Sequence, residues 1–255
     1  MFQSVMGRSS AFAANVTTGA MLAETFSTYF ANFGGFFILA LVAHLPLLLQ
    51  TAMPRQPVAP GHLYQTLLPV LLITVGLALV TNGLTSAAVT FGVLQHLRGR
   101  PTSIGTCLGQ GFSSIGPVLL VVLLQSLICI ACGVLCFIPL LFVWPIIAMA
   151  VPAAVEERPG VVAALGRSAF LTEGYRWVVF ITLLALGILL ALVGFVSSAG
   201  LTLVLRGSPA TLKVALLVVQ SVSGGLQATA VAVLYYRLRS AKEAIDVSHL
   251  ASVFD

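Results

Sequence analysis

Charge is what this sequence has least of. Of its 255 residues, 12 are Lys or Arg and seven are Asp or Glu, 7% in all, where a soluble domain carries roughly a quarter. A water-soluble chain of this length could not cover its surface with so few charges. With 59% hydrophobic residues, lipid is the expected solvent for most of it. No polar stretch is long enough for a soluble domain, so residues 1–255 read as a single membrane domain. Cysteine is scarce as well. Of Cys107, Cys129, Cys132 and Cys136, the last three lie in one apolar run, which implies no disulfide framework. Residues 1–16 carry Arg8 but no continuous apolar core before a small-residue cleavage site, so no cleavable leader is expected. No nucleophile paired with a base and no convergent cluster of His, Asp or Glu stands out. Catalytic residues, metal ligands and cofactors are therefore not assigned, and an enzyme is not expected. The net charge of +5 and pI near 9.3 point, in a membrane protein, to the cytoplasmic leaflet rather than to nucleic acid.

What is present is a set of long apolar runs. The first span is expected at about 36–51 and the second from Thr66 to about Gln95. Gly116 to Val155 is forty residues without a charge. At about 20 residues per crossing that is two spans, with a turn near Gly133 to Pro139 and kinks at Pro145 and Pro152. A fifth span runs from Trp177 to about Ser198. A loop with Arg206, Pro209 and Lys213 follows, and then a sixth span from about Val214 to Tyr236. Before each pair of spans lies a shorter amphipathic segment. In the first, capped by Thr17 or Thr18, the residues Met21, Leu22, Thr25, Phe26, Tyr29 and Phe30 share an apolar arc opposite Glu24. The second starts after Pro101, with Thr102 or Ser103 as cap, and carries Ile104, Leu108, Gly111, Phe112 and Ile115 on one face. The third, Val161 to Thr172, lies between Pro159 at its start and Gly174 at its stop. The expected architecture is thus all-α: six transmembrane helices with three short interfacial helices lying in the headgroup layer.

Lys and Arg set the orientation. With the amino terminus inside, nine fall on inner segments and three (Arg55, Arg206 and Lys213) on outer loops. That places both termini in the cytoplasm, with all three short helices on the same face. The order of one short helix and two spans also suggests a threefold internal repeat. Its units are roughly 19–97, 101–155 and 159–238, with 239–255 as a tail. The segment Glu157-Arg158-Pro159-Gly160, with Ala164-Leu165-Gly166-Arg167-Ser168, Thr172, Gly174 and Arg176-Trp177, carries a family resemblance. So do the closing Tyr235-Tyr236-Arg237-Leu238-Arg239 and Val253-Phe254-Asp255. Across most of its length the chain resembles a broad group of bacterial multi-pass membrane proteins. These are similar to the membrane domain found ahead of some glycerophosphodiester phosphodiesterases. The resemblance implies six spans with surface or re-entrant helices in the bacterial inner membrane. It implies no hydrolase activity, because the soluble catalytic barrel is missing.

Two groups of residues are candidates for function. At the interface, Arg158, Arg167, Arg176, Arg237 and Arg239, with Trp177, are placed to contact anionic headgroups or a partner. Arg158, Arg167 and Arg176 can alternatively pair with Glu156, Glu157 and Glu173. Within the spans, His44, Asn82, Gln125 and Gln220 are the polar groups that could line a cavity, with Gln227 beside them. Cys129, Cys132 and Cys136 share a helix face that suits soft copper, but buried thiols there are more often packing residues. The function expected first is a non-enzymatic membrane module that organises lipid or a membrane protein complex, in one copy or as a homo-oligomer. The alternative is a transporter or channel for a small solute.

Overall fold

The computed structural model describes residues 16–48, 63–101, 103–135 and 137–253. Arg8, Thr51, Arg55, Thr102, Cys136 and the last two residues lie outside that set. Among the described residues all regular structure is helical. The elements are α1 (Thr18–Ala31), α2 (Phe33–His44, prolonged by a 3-10 turn Leu45–Leu48), α3 (Leu63–Leu97), α4 (Ile104–Ser113) and α5 (Ile115–Leu135). They continue with α6 (Phe137–Ile147), α7 (Ala150–Glu156), α8 (Val161–Thr172), α9 (Arg176–Val204) and α10 (Pro209–Val253). Five stretches are long and apolar enough to cross a bilayer: Leu68–Leu97, Ile115–Gly133, Pro139–Glu156, Arg176–Val204 and Pro209–Glu243. The pair α1 and α2 through Leu48, which meet at 85°, makes a sixth when the two are counted as one bent span. The protein is an all-α, multi-pass membrane protein.

The helices α1, α4 and α8 are short; α4 and α8 are followed directly by the membrane-length α5 and α9, whereas α1 is followed by the shorter α2 and then by the membrane-length α3. Thr17 and Ser103 cap the first two, accepting from the backbone N–H groups of Ala20 and Thr106. Gly160, at φ +90°, starts the third, and Gly174, at φ +83°, ends it; both backbone shapes disfavour a side chain. Counted from those three starts, buried residues fall at +4, +8 and +11. They are Met21, Thr25 and Thr28; Cys107, Gly111 and Ser114; Ala164, Ser168 and Leu171. Several large apolar residues of these helices, Phe30, Phe112, Val162 and Phe170, are instead exposed, while Met21, Tyr29 and Leu171 are buried. Lipid is as apolar as any protein core, so bulky residues are free to face it while a strip with several small residues turns inward.

The helix α10 is the hub, packing on α1, α2, α3, α7, α8 and α9. Close approach is made by glycine. A side chain on Gly224 would press His44, and one on Gly225 would press Tyr29, whose hydroxyl donates to the Val222 carbonyl at 3.1 Å. Three boundaries differ from the sequence reading. Pro209 and Lys213 open α10 rather than lying in a loop, because proline suits the first helical position, where its missing N–H is not needed. The fifth span extends to Val204. The last helix continues unbroken to Val253, through most of the segment read as a tail.

Candidate functional site

One end of the bundle is ringed by ion pairs. Glu24 on α1 takes a two-pronged contact from Arg237 on α10, at 2.6 and 2.7 Å. Glu156 at the end of α7 pairs with Arg98 at the end of α3. Glu157 accepts from Arg167 at 2.9 Å and from the Tyr235 hydroxyl at 2.7 Å, with Arg239 at 3.8 Å. Glu243 accepts from Arg167 at 2.9 Å and from Arg239 at 2.8 Å. Arg167 and Lys242 also lie over the Phe170 ring. Isolated pairs of this exposure are worth about 0–1 kcal/mol. Here they are joined into a network that ties α3, α7, α8 and α10 together.

Next to this ring the fourth span is broken. The turn at Ala148 and Met149 separates α6 from α7, between Pro145 and Pro152. A break within a membrane leaves backbone groups without partners, and protein must supply them. Ser168 on α8 does so twice: its hydroxyl accepts from the Met149 N–H at 3.0 Å and donates to the Ile146 carbonyl at 2.5 Å. The Gln125 side chain on α5 donates to the Ile147 carbonyl at 2.5 Å.

Beside the break lies a cavity of about 320 Å³, walled by α3, α5, α6, α7, α9 and α10. Its polar lining comes from Asn82, Thr85, Ser86 and Thr90 on α3, Gln125, Ser126 and Cys129 on α5, and Gln227 on α10. Thr90 and Asn82 lie eight and sixteen residues from Arg98, and Val231 and Gly224 lie eight and fifteen from Arg239. At ~1.5 Å per residue both helices put the cavity ~12–24 Å below the charged ring, mid-depth for a ~30 Å hydrocarbon layer. Ser86, Thr90 and Gln227 have no hydrogen-bond partner among the described residues, and Thr90 is only 1% exposed. Asn82 donates to the Ala78 carbonyl at 2.8 Å and leaves its own carbonyl to the cavity. On the charged side α7 and the ion pairs form a roof. The helix α5 packs on α3, α6, α7 and α8 but not extensively on α9 or α10, and the cavity between them is partly open.

The structure thus divides the two candidate sets. Asn82 and Gln125 meet in the cavity. His44 sits one layer behind it, 99% buried, with its Nδ1 2.7 Å from the Ala40 carbonyl and 3.4 Å from the Thr85 hydroxyl. Gln220 does not join them. It lines a separate cleft of about 310 Å³ with Leu47, Thr74 and Lys213. Among the arginines, Arg167, Arg237 and Arg239 are engaged by carboxylates of this chain. Arg158, at φ +51°, reaches the Ser113 hydroxyl at 3.4 Å, while Arg176 and Trp177 are exposed. Trp177 sets its edge against Phe142 and Phe180. Of the three apolar-run cysteines, Cys129 faces the cavity and Cys132 does not. No protein-family model, curated protein or solved structure matches this chain. Residues missed from the sequence are Thr85, Ser86, Thr90 and Ser126. Asn82, Ser86 and Thr90 recur every four residues, one face of one helix, and that spacing was the available signal.

Proposed function

We propose that this protein binds a small solute inside the membrane and passes it across, using the mid-depth cavity as its site and the broken span as its moving part. The observation that carries the reading is the cavity itself: side-chain amides and hydroxyls from three helices converge beside a span whose break is held by Ser168 and Gln125. Discontinuous helices at mid-depth sites are how many transporters present polar groups within a bilayer. The roof carries Glu156 and Glu157, so the ion-pair ring acts as the closed gate on that side. No covalent chemistry is assigned to the site. The protein resides in the bacterial inner membrane with the charged ring and both termini in the cytoplasm, as the Lys and Arg distribution favours. The likeness to the membrane domain of glycerophosphodiester phosphodiesterases is retained as part of this proposal for the fold, not for the activity.

The test is osmotic swelling of proteoliposomes in glycerol, urea, erythritol and sucrose. The expected result is faster swelling than protein-free vesicles for at least one of the smaller solutes, abolished by Ser86→Trp, which fills the cavity. Rates equal to protein-free vesicles for all four would remove the reading. A second reading, an organiser of lipid or of a membrane complex, is favoured by Arg176 and Trp177, exposed together where the chain enters α9.

A further inference from the structure

We infer that the cavity takes an uncharged, hydrogen-bonding solute of about ten non-hydrogen atoms or fewer and turns ions away; this rests on the solute-binding reading above. The size follows from volume: about 320 Å³ corresponds to roughly ten water-sized units at ~30 Å³ each. The chemistry follows from the lining. It contains amides, hydroxyls, one thiol and apolar groups, and no Asp, Glu, Lys, Arg or His. An ion moved to mid-depth loses most of its hydration, a large penalty that a counter-charge or full coordination must offset. Neither is at hand. The carboxylates and guanidiniums sit in the ring above and are paired with each other. The backbone carbonyls of Ile146 and Ile147, exposed by the helix break, are taken by Ser168 and Gln125.

Trp144 offers a cation one aromatic face. A single aromatic side chain is a weak cation site, weaker than the desolvation it would have to offset. His44 stands behind Thr85 and does not line the space. A neutral solute meets the opposite situation. The unpartnered hydroxyls of Ser86 and Thr90 and the Gln227 amide can each donate and accept, and the Asn82 carbonyl can accept. A hydroxylated or amide-bearing molecule satisfies these groups without bringing charge.

Cys129 lets the cavity report on itself. In a chain carrying Cys107→Ala, Cys132→Ala and Cys136→Ala, reconstituted in vesicles, labelling of Cys129 is followed by intact mass. The reagents are neutral methyl methanethiosulfonate and its cationic trimethylammonium-ethyl and anionic sulfonatoethyl relatives. Each rate is normalised to that of the same reagent on His96→Cys at the exposed end of α3. The neutral reagent is expected to be favoured at Cys129 on the order of tenfold or more over both charged ones. Ser86→Trp should slow it at Cys129 while leaving the lipid-facing Ile130→Cys unchanged. Asn82→Trp, at the cavity rim, repeats that control if Ser86→Trp is not recovered. Charged reagents reacting as fast as the neutral one would overturn the neutral-solute inference and leave the binding site standing. Labelling that neither filling variant slows, or no labelling at all, would overturn the cavity as a site and the proposed function with it.

Discussion

The two ends of this bundle are built by different rules. At the charged end, α1, α4 and α8 fit small residues against α3, α7 and α10, and carboxylates join helices that are distant in sequence. At the other end, the later part of α9 exposes Ile188, Leu192, Phe195, Val196 and Val204, and the start of α3 exposes Leu68 to Ile73. In water such surfaces would drive collapse. In lipid they gain nothing by meeting, because hydrocarbon solvates them equally well. Helices therefore stay together only where small side chains permit backbone approach or polar groups bind across. Where both are lacking, nothing holds them in close contact.

The largest expected effect comes from breaking close approach at the packed end. A side chain on Gly92 would meet Phe36 at 3.0 Å and Cys107 at 3.3 Å, and one on Gly111 would meet the Ala88 backbone at 3.3 Å. Gly194 on α9 has open space. Gly92→Leu and Gly111→Leu are each expected to cost about 1–3 kcal/mol or more through overpacking, seen as a lowered Tm in detergent or loss of the monodisperse species. Gly194→Leu should be neutral or slightly stabilising, since leucine is the better helix former. Equal losses at all three positions would show that the two ends do not differ in packing.

A smaller effect is expected at the broken span. Ser168→Ala leaves the Met149 N–H and the Ile146 carbonyl without their partner, a loss of about 1–3 kcal/mol. Ser198, on the exposed part of α9, bonds the Phe195 carbonyl of its own helix. Ser198→Ala should shift Tm little.

These contrasts mark what could be read from the residues alone. Apolar runs and prolines located the spans, the turn between α5 and α6 and the break between Pro145 and Pro152, because length and backbone chemistry act locally. Pro159 and Gly174 marked the ends of α8 for the same reason, with Gly160 standing at its N-cap. Which face of a helix is buried was not legible. The apolar arcs of α1 and α4 each hold both kinds of residue, Tyr29 and Gly111 buried and Phe30 and Phe112 exposed, since in lipid hydrophobicity no longer distinguishes core from surface. Glycines divided in the same way: Gly224 and Gly225 sit at crossings, and Gly187 and Gly194 do not. In the cavity, Asn82 and Gln125 were visible as polar residues in apolar runs, whereas Gln220 looked equivalent and lies elsewhere. Distances between helices decide that, and no single-chain pattern encodes them.

The network itself sharpens the comparison next. Glu157 receives Arg167 and Tyr235 together, while Glu173 is exposed and has no ion pair among the described residues. Glu157→Gln keeps the shape but removes the charge that two guanidiniums face. It should lower Tm by an amount worth about 1–2 kcal/mol, less at high salt. Glu173→Gln should have no measurable effect. If the two substitutions behave alike, the ring is a set of independent surface pairs and cannot serve as a gate.

The smallest expected effect in stability separates paired from unpaired arginine, and with it the two functional readings. Arg167 is held by Glu157 and Glu243, so Arg167→Ala should reduce Tm without changing which lipids co-purify. Arg176 is exposed, has no carboxylate partner among the described residues and stands next to Trp177. Its removal should leave Tm within about 0.5 kcal/mol. An arginine free to meet anionic headgroups contributes about 1 kcal/mol, so Arg176→Ala should weaken retention of anionic lipid roughly fivefold. Lipid mass spectrometry on both variants reads the two effects independently. If Arg176→Ala retains its full complement of anionic lipid, the lipid-organising reading loses its best-placed residue, and the cavity is left as the feature on which function must rest.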